Sequence, residues 1–423
     1  MVGCGENKQG SGTETKEITS STADSDIVGE GDQVAEGEER QKIDASKADE
    51  SDEVLVIEPK AIGEEVIQIE PVDEQINRYI ELMSIQEKVA QMFIVLPEAL
   101  VGVDTVTSAG EATKNAINEL PVGGLIYMEK NLQSPEQVKD MLTNLQEYSM
   151  KRIKLPMFTA IDEEGGTVTR ISGRSGFDVP SIGEMATVGQ TGDISQASEV
   201  GNTMGRYLSN LGFNVDFAPA ADVLSNPNNK VVRSRSFGSN PEMVANMAVA
   251  VMEGLQSYGV CATFKHFPGH GATTGDTHEG YAYTEKSLEE LQACELVPFV
   301  KGIERAVPFI MVGHISVPTV IGDNTPASLS KTMITEVLRE QMGYDGIVIT
   351  DAMNMGAIVQ SYSSAEAAIR TIQAGSDIVL MPADFNSAYQ GVMQAIESGS
   401  IPTDRIDESV RRILKVKLEL MNG

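Results

Sequence analysis

From about residue 74 onward, short apolar runs alternate with longer segments of helical spacing. Eight of the runs read as strands: Met92–Leu96, Gly124–Met128, Met157–Ile161, Asn214–Ala218, Val260–Phe264, Phe309–Gly313, Gly346–Thr350 and Asp377–Met381. Between them Pro135–Met150, Ile194–Leu211, Pro241–Tyr258, Ser287–Gly302 and Lys331–Met342 predict helices, and Asp404–Met421 predicts a closing one. Strands alternating with helices argue for parallel βαβ units. Eight units predict an α/β fold, a (β/α)8 TIM-type barrel, with one catalytic domain over residues 74–423. A doubly wound sheet is the structural rival. The runs end in Asp162, Asp216, Lys265-His266, His314 and Asp351. A barrel gathers such ends around one mouth, whereas an open sheet spreads them along a line.

Residues 1–73 differ in kind. They hold 20 acidic and 6 basic residues and no Phe, Tyr or Trp. Such a segment buries too little apolar surface to offset its ordering entropy, so it reads as a disordered acidic tether. Two apolar stretches, Val54–Ile57 and Val66–Ile69, interrupt it. Met1-Val2-Gly3-Cys4-Gly5 resembles the end of a bacterial lipoprotein signal, with small residues before a lipidated Cys. That predicts a lipid on Cys4 and a place on the outer face of the cytoplasmic membrane, or secretion; a genuine start at Met1 predicts the cytoplasm.

The whole chain carries a formal charge of −30, which excludes a general basic face for nucleic acid. No apolar run reaches the ~18–20 residues of a membrane span. Cys261 and Cys294 have no metal-like spacing and read as small buried hydrophobes.

Candidate chemistry is concentrated in four blocks. The densest is Lys265-His266-Phe267-Pro268-Gly269-His270-Gly271, continuing to Asp276-Thr277-His278. Pro268 and the glycines break any helix, so the histidines would not share a helical face as metal ligands. Asp276 and His278 fit a dyad better: a carboxylate on one imidazole nitrogen fixes the tautomer and leaves the other for proton transfer. The second block ends strand Gly346–Thr350 with Asp351, read either as a carboxylate at a barrel mouth or as a cap for the next helix. The third is Asp162-Glu163-Glu164-Gly165-Gly166 with Arg170 beyond, either a polar binding loop or a solvated acidic turn. The fourth, Arg233-Ser234-Arg235-Ser236-Phe237-Gly238, is basic in an acidic chain, and surface salt bridges are its bland reading.

Together with Asn214-Val215-Asp216-Phe217-Ala218-Pro219, Thr350-Asp351-Ala352 and Ala374-Gly375-Ser376-Asp377, these blocks resemble family 3 glycoside hydrolases, and among them the β-N-acetylglucosaminidases. The resemblance covers about residues 75–420. It implies a retaining exo-hydrolase that removes terminal β-linked N-acetylglucosamine from peptidoglycan fragments, without metal or organic cofactor, acting as a monomer. Asp351 would be the nucleophile, His278 the general acid/base with Asp276 as its partner, and Asp162, Arg235, Lys265 and His266 the sugar-binding residues. Glu163 stands where the family usually has Gln, which implies an added negative charge beside Asp162. Related β-glucosidases draw a Glu donor from a second domain. Only 72 residues follow Asp351 here, so a donor from the barrel is expected. A phosphorylase of the same family, another family 3 β-glycosidase, and a non-catalytic glycan-binding lipoprotein are the alternatives.

Overall fold

The computed structural model describes residues 70–277, 280 and 282–422. The expected tether with its Cys4, and His278 of the expected dyad, lie outside the described residues.

Two helices, Val72–Leu82 and Ile85–Gln91, lead into the fold. Ser84 starts the second with reciprocal bonds: its hydroxyl accepts from the Glu87 N–H and the Glu87 carboxylate accepts from the Ser84 N–H. Of the ten strands among the described residues, Ala282–Tyr283 and Ile315–Ser316 form a short parallel pair of their own, and eight match the expected set: β1 Phe93–Val95, β2 Gly124–Ile126, β3 Phe158–Ile161, β4 Val215–Asp216, β5 Thr263–Phe267, β6 Phe309–Val312, β7 Ile347–Thr350 and β8 Val379–Leu380. Every residue in them is buried, as expected of parallel strands covered on both faces. One parallel sheet has the order β8-β1-β2-β3-β4 and a second the order β5-β6-β7. In the first, Phe93 lies opposite Val379 and Leu125 opposite Thr159; in the second, Phe309 lies opposite both Thr263 and Ile347. Isolated parallel bridges, Val215 with Cys261 and Ile349 with Ile378, link one sheet to the other. Phe158 and Phe309 meet edge to face at 5.4 Å in the core. At Gly124 the chain passes so close to β3 that a Cβ would lie 2.7 Å from the Phe158 Cβ.

Helices Pro135–Ile153, Ile194–Leu211, Pro241–Gln256 and Thr403–Asn422 run where the apolar period places them. Ser134, Asp193 and Asn240 begin the first three by accepting from the N–H of Gln137, Ser195 and Met243. No helix among the described residues is long and apolar enough to cross a membrane.

Three elements depart from the sequence expectation. Helix Ser287–Gly302 is two helices, Leu288–Ala293 and Val297–Glu304. Pro298 has no N–H for an interior turn, so it sits in the first turn of the second helix. Segment Lys331–Met342 is helical, but Thr332–Gln341 is wound as a π-helix, with the Met342 N–H reaching the Val337 carbonyl at 2.9 Å. Most consequentially, the fifth strand is Thr263–Phe267 rather than Val260–Phe264. Lys265 and His266 therefore lie within a buried strand, where apolar periodicity does not anticipate them.

Candidate active site

The carboxyl ends of β2, β3, β5, β7 and β8, with the segment after β4 that carries Val231 and Arg235, converge on a cavity of about 380 Å³. Its lining includes Asp162, Glu164, Arg170, Arg235, Lys265, His266, His270, Thr277 and Asp351, with Met128, Val231, Met355 and Met381 among the apolar surfaces.

One wall is an ion network that makes the polar strand β5 tolerable in the interior. The Lys265 ammonium lies 2.6 Å from Glu164 Oε1 and 3.0 Å from Asp162 Oδ1. Arg235 grips Glu164 with both Nε and Nη2, at 2.7 and 2.8 Å. Burial disfavours the charge on Glu164, but Arg235 and Lys265 outweigh it and hold its carboxyl far below the usual range. Burial likewise works against the charge on Lys265 and Arg235, and the facing carboxylates raise both above their ordinary values. Arg170 approaches Asp162 from the other side at 3.6 Å, and its buried Nε has no hydrogen-bond partner.

His266 is oriented from both edges. Arg235 Nη2 donates to Nε2 at 3.2 Å, which leaves the proton on Nδ1 to be donated to Asp222 at 2.8 Å. Asp222 is fully buried and also accepts the His270 N–H at 2.6 Å. Burial, then the neighbouring His266, pushes the His270 imidazole down to about 4, so that ring is a neutral wall of the cavity.

Asp351 follows β7 directly, and its N–H extends the ladder to the Val312 carbonyl at 2.9 Å. Its Oδ1 accepts from the adjacent Ala352 N–H at 2.7 Å. The following helix, Gly356–Val359, has Met355 at its N-cap, so Asp351 is not a helix cap and its side chain lines the cavity. His314 steadies the same turn by donating Nε2–H to the Ala352 carbonyl at 3.0 Å while accepting the Ser328 hydroxyl at 2.7 Å. Burial opposes ionisation of Asp351, but His266, His314, the Ala352 N–H and Lys265 more than offset it, leaving its pKa below the ordinary carboxylate value.

The structure thus brings Asp162, Arg235, Lys265, His266 and Asp351 to one cavity. Asp276 sits on the loop that reaches it through Thr277, whose carbonyl accepts the Ala357 N–H at 3.2 Å. The histidine expected beside it, His278, is outside the described residues.

Glu163 is where the expectation needs correction. Its carboxylate does not line the cavity. It is fully buried and accepts from the N–H groups of Arg170, Ile171 and Ser172 at 2.6, 3.0 and 2.7 Å, and from the hydroxyls of Thr169 and Tyr207 at 3.0 and 2.8 Å. It therefore ties down the loop that presents Arg170. Beneath it Asp216, the last residue of β4, accepts the Glu163 N–H at 2.9 Å, and burial holds its carboxyl well above the usual range.

Sequence reasoning placed Glu164 and Arg170 in a candidate polar loop without giving either a role, and it missed Asp222. Asp222 carried a readable signal, a lone charge closing the apolar run from Phe217. Nothing in the sequence separated the roles of Glu164 and Glu163, because adjacent carboxylates in one loop look alike until their partners are known. Among the described residues no group of three or more His, Cys, Asp and Glu is placed to hold a metal ion. An ionised carboxylate facing a cationic, hydrogen-bonding wall can hold a polyhydroxylated ring and attack an electrophilic carbon within it.

The sequence matches the family described as Glycosyl hydrolase family 3 N terminal domain over residues 84–416. Most of the chain falls in that match, and it belongs to this family. Among its relatives, Beta-hexosaminidase A of Pseudoalteromonas piscicida is 35% identical over 330 residues, 72% of this chain and 54% of the relative. Beta-hexosaminidase LpqI of Mycobacterium tuberculosis is 38% identical over 271 residues, 62% of this chain and 68% of the relative. The solved structure of a glycoside hydrolase family 3 beta-N-acetylglucosaminidase from Paenibacillus sp. str. FPU-7 superposes with a TM-score of 0.74 at 36% identity, covering 80% of this chain and 63% of the other. The chain thus spans about half the length of the first of these relatives and under two thirds of that solved chain.

Proposed function

We propose that this protein is a retaining exo-β-N-acetylglucosaminidase acting on terminal β-linked N-acetylglucosamine, including that of peptidoglycan fragments. The reading is carried by one observation: an ionised Asp351 shares a cavity with the Asp162–Lys265–Glu164–Arg235 network. Asp351 attacks the anomeric carbon and forms a covalent glycosyl ester, and water later breaks it with retention. The Asp276–His278 pair protonates the departing oxygen and then activates that water. A histidine titrates near neutrality, so it needs no deep burial to stay protonated as a donor. Asp162, Lys265, Arg235 and His266 bind the hydroxyls and the N-acetyl group of the sugar. The eight strands act as a closed (β/α)8 barrel, a reading supported by the two bridges that join the sheets at Val215–Cys261 and Ile349–Ile378. The names of the relatives and the structural neighbour support the choice of sugar. A lipid on Cys4 would hold this monomeric enzyme at the outer face of the membrane. Detergent partitioning of the native chain, lost in Cys4→Ala, tests that part.

The central test is reaction with a fluorinated N-acetylglucosamine-type inactivator followed by intact-mass and peptide analysis. A single sugar adduct mapped to Asp351 is the expected result. Turnover of 4-nitrophenyl β-N-acetylglucosaminide without any adduct on Asp351 would reject the mechanism.

A further inference from the structure

The segment from Val223 to Pro241 stands apart in an acidic chain: it contains Lys230, Arg233 and Arg235 and not one Asp or Glu. Arg235 is spent on Glu164 in the cavity wall. Lys230 and Arg233 are not. Both are exposed, and among the described residues neither has a carboxylate within ion-pairing distance.

The place of this segment gives those charges meaning. Val231, between them, lines the cavity. Asn229 holds the segment rigid: its Oδ1 accepts the N–H groups of Val231 and Val232 at 2.9 and 3.1 Å. Its Nδ2 donates to the His270 carbonyl at 2.8 Å, and Asn226 Nδ2 donates to the Thr273 carbonyl at 2.9 Å. His270 and Thr273 are the root of the loop that carries Asp276. Under the proposed function, that loop supplies the proton to the leaving oxygen, so it must flank the leaving group and not the sugar held by Asp162 and Lys265. The segment that carries Lys230 and Arg233 then runs along the leaving-group side, with both side chains outside the residues that line the cavity itself. Arg233 is held there by an Nη2 bond to the Pro227 carbonyl.

We infer that Lys230 and Arg233 form a cationic lip that selects glycosides whose leaving group carries a carboxylate. This rests on the proposed function. Two cations with no carboxylate paired to them among the described residues, on a chain of net charge −30, offset locally the repulsion that an anionic substrate meets elsewhere. They do so through solvent, so the preference is modest and salt-sensitive.

The test compares kcat/KM for 4-nitrophenyl and 3-carboxy-4-nitrophenyl β-N-acetylglucosaminide in the wild type and in the double variant Lys230→Gln/Arg233→Gln. The ratio of charged to neutral substrate within each protein cancels differences in folding and in active fraction. The expected result is a three- to ten-fold fall of that ratio in the variant, about the size of two exposed charge interactions. The wild-type ratio should also fall as NaCl rises from 20 to 500 mM, roughly as screening predicts. An equal ratio in both proteins, or an equal loss on both substrates, overturns the lip. Failure of the wild type to hydrolyse the neutral glycoside would instead overturn the proposed function itself.

Discussion

The two ends of the parallel strands both bury carboxylates among cations, yet they do different things. At the carboxyl ends, Glu164 and Asp162 meet Lys265 and Arg235, and the group opposite them, Asp351, faces an open cavity. Ahead of β8, at the amino ends, the fully buried Asp377 is ringed by Arg339, Arg405 and Arg412 and accepts the Ser409 hydroxyl at 2.7 Å and the Val348 N–H at 2.9 Å. Those guanidiniums are largely spent: Arg339 also donates to the carbonyls of Tyr344 and Gly346, and Arg405 to those of Ile372 and Ser376. The first network leaves an ionised carboxylate facing space for a ligand. The second staples the closing helix Thr403–Asn422 to the strand layer. Buried ion pairs alone therefore do not mark a site; an unspent group beside them does.

The comparison breaks most visibly at Asp351. Asp351→Asn removes the unspent carboxylate but keeps the Ala352 contact, so kcat on 4-nitrophenyl β-N-acetylglucosaminide should drop by about 10⁴ or more while the melting temperature holds. At the other end, Asp377→Ala leaves three cations around an empty site. Urea unfolding should show a loss of about 3–5 kcal/mol with KM of the folded fraction unchanged. A variant at Asp377 that folds normally and loses turnover would reverse the assignment of the two networks.

Glu163→Gln sharpens the contrast within the active end. One oxygen becomes an NH2 group facing N–H donors, so the loop of residues 169–172 should loosen at a cost of about 1–3 kcal/mol. Because that loop presents Arg170, KM should rise more than kcat falls. A pH-dependent effect comes from Lys417, fully buried beneath the Phe158 ring, with Nζ 2.7 Å from Gln91 Oε1 and 2.9 Å from the Gly123 carbonyl. Burial pushes its ammonium down to about 7. Between that value and the free lysine pKa of about 10.4 the unfolded chain binds more protons, so stability should rise with pH across this window and level off above it. Lys417→Met should flatten that rise in urea titrations from pH 7 to 10.

Much of the fold is legible along the chain because its determinants are local. Seven strands lie within their apolar runs, and the helices at Pro135, Ile194 and Pro241 begin beside caps visible in the sequence. Asp351 is legible for the same reason, as the first polar residue after a buried strand. What could not be read is whatever depends on a partner far away. Strand β5 runs through Lys265 and His266 only because Asp162 and Glu164, about a hundred positions earlier, and Asp222 neutralise them. Of three consecutive carboxylates, Asp162 and Glu164 face the cavity while Glu163 turns to three N–H groups and the Tyr207 hydroxyl. Sequence by itself determined where strands, caps and candidate charges lie, since hydrophobic period and capping act over a few residues. Tertiary structure alone decided which charges are consumed and which stay open, because a buried charge takes its role from whatever the fold packs against it.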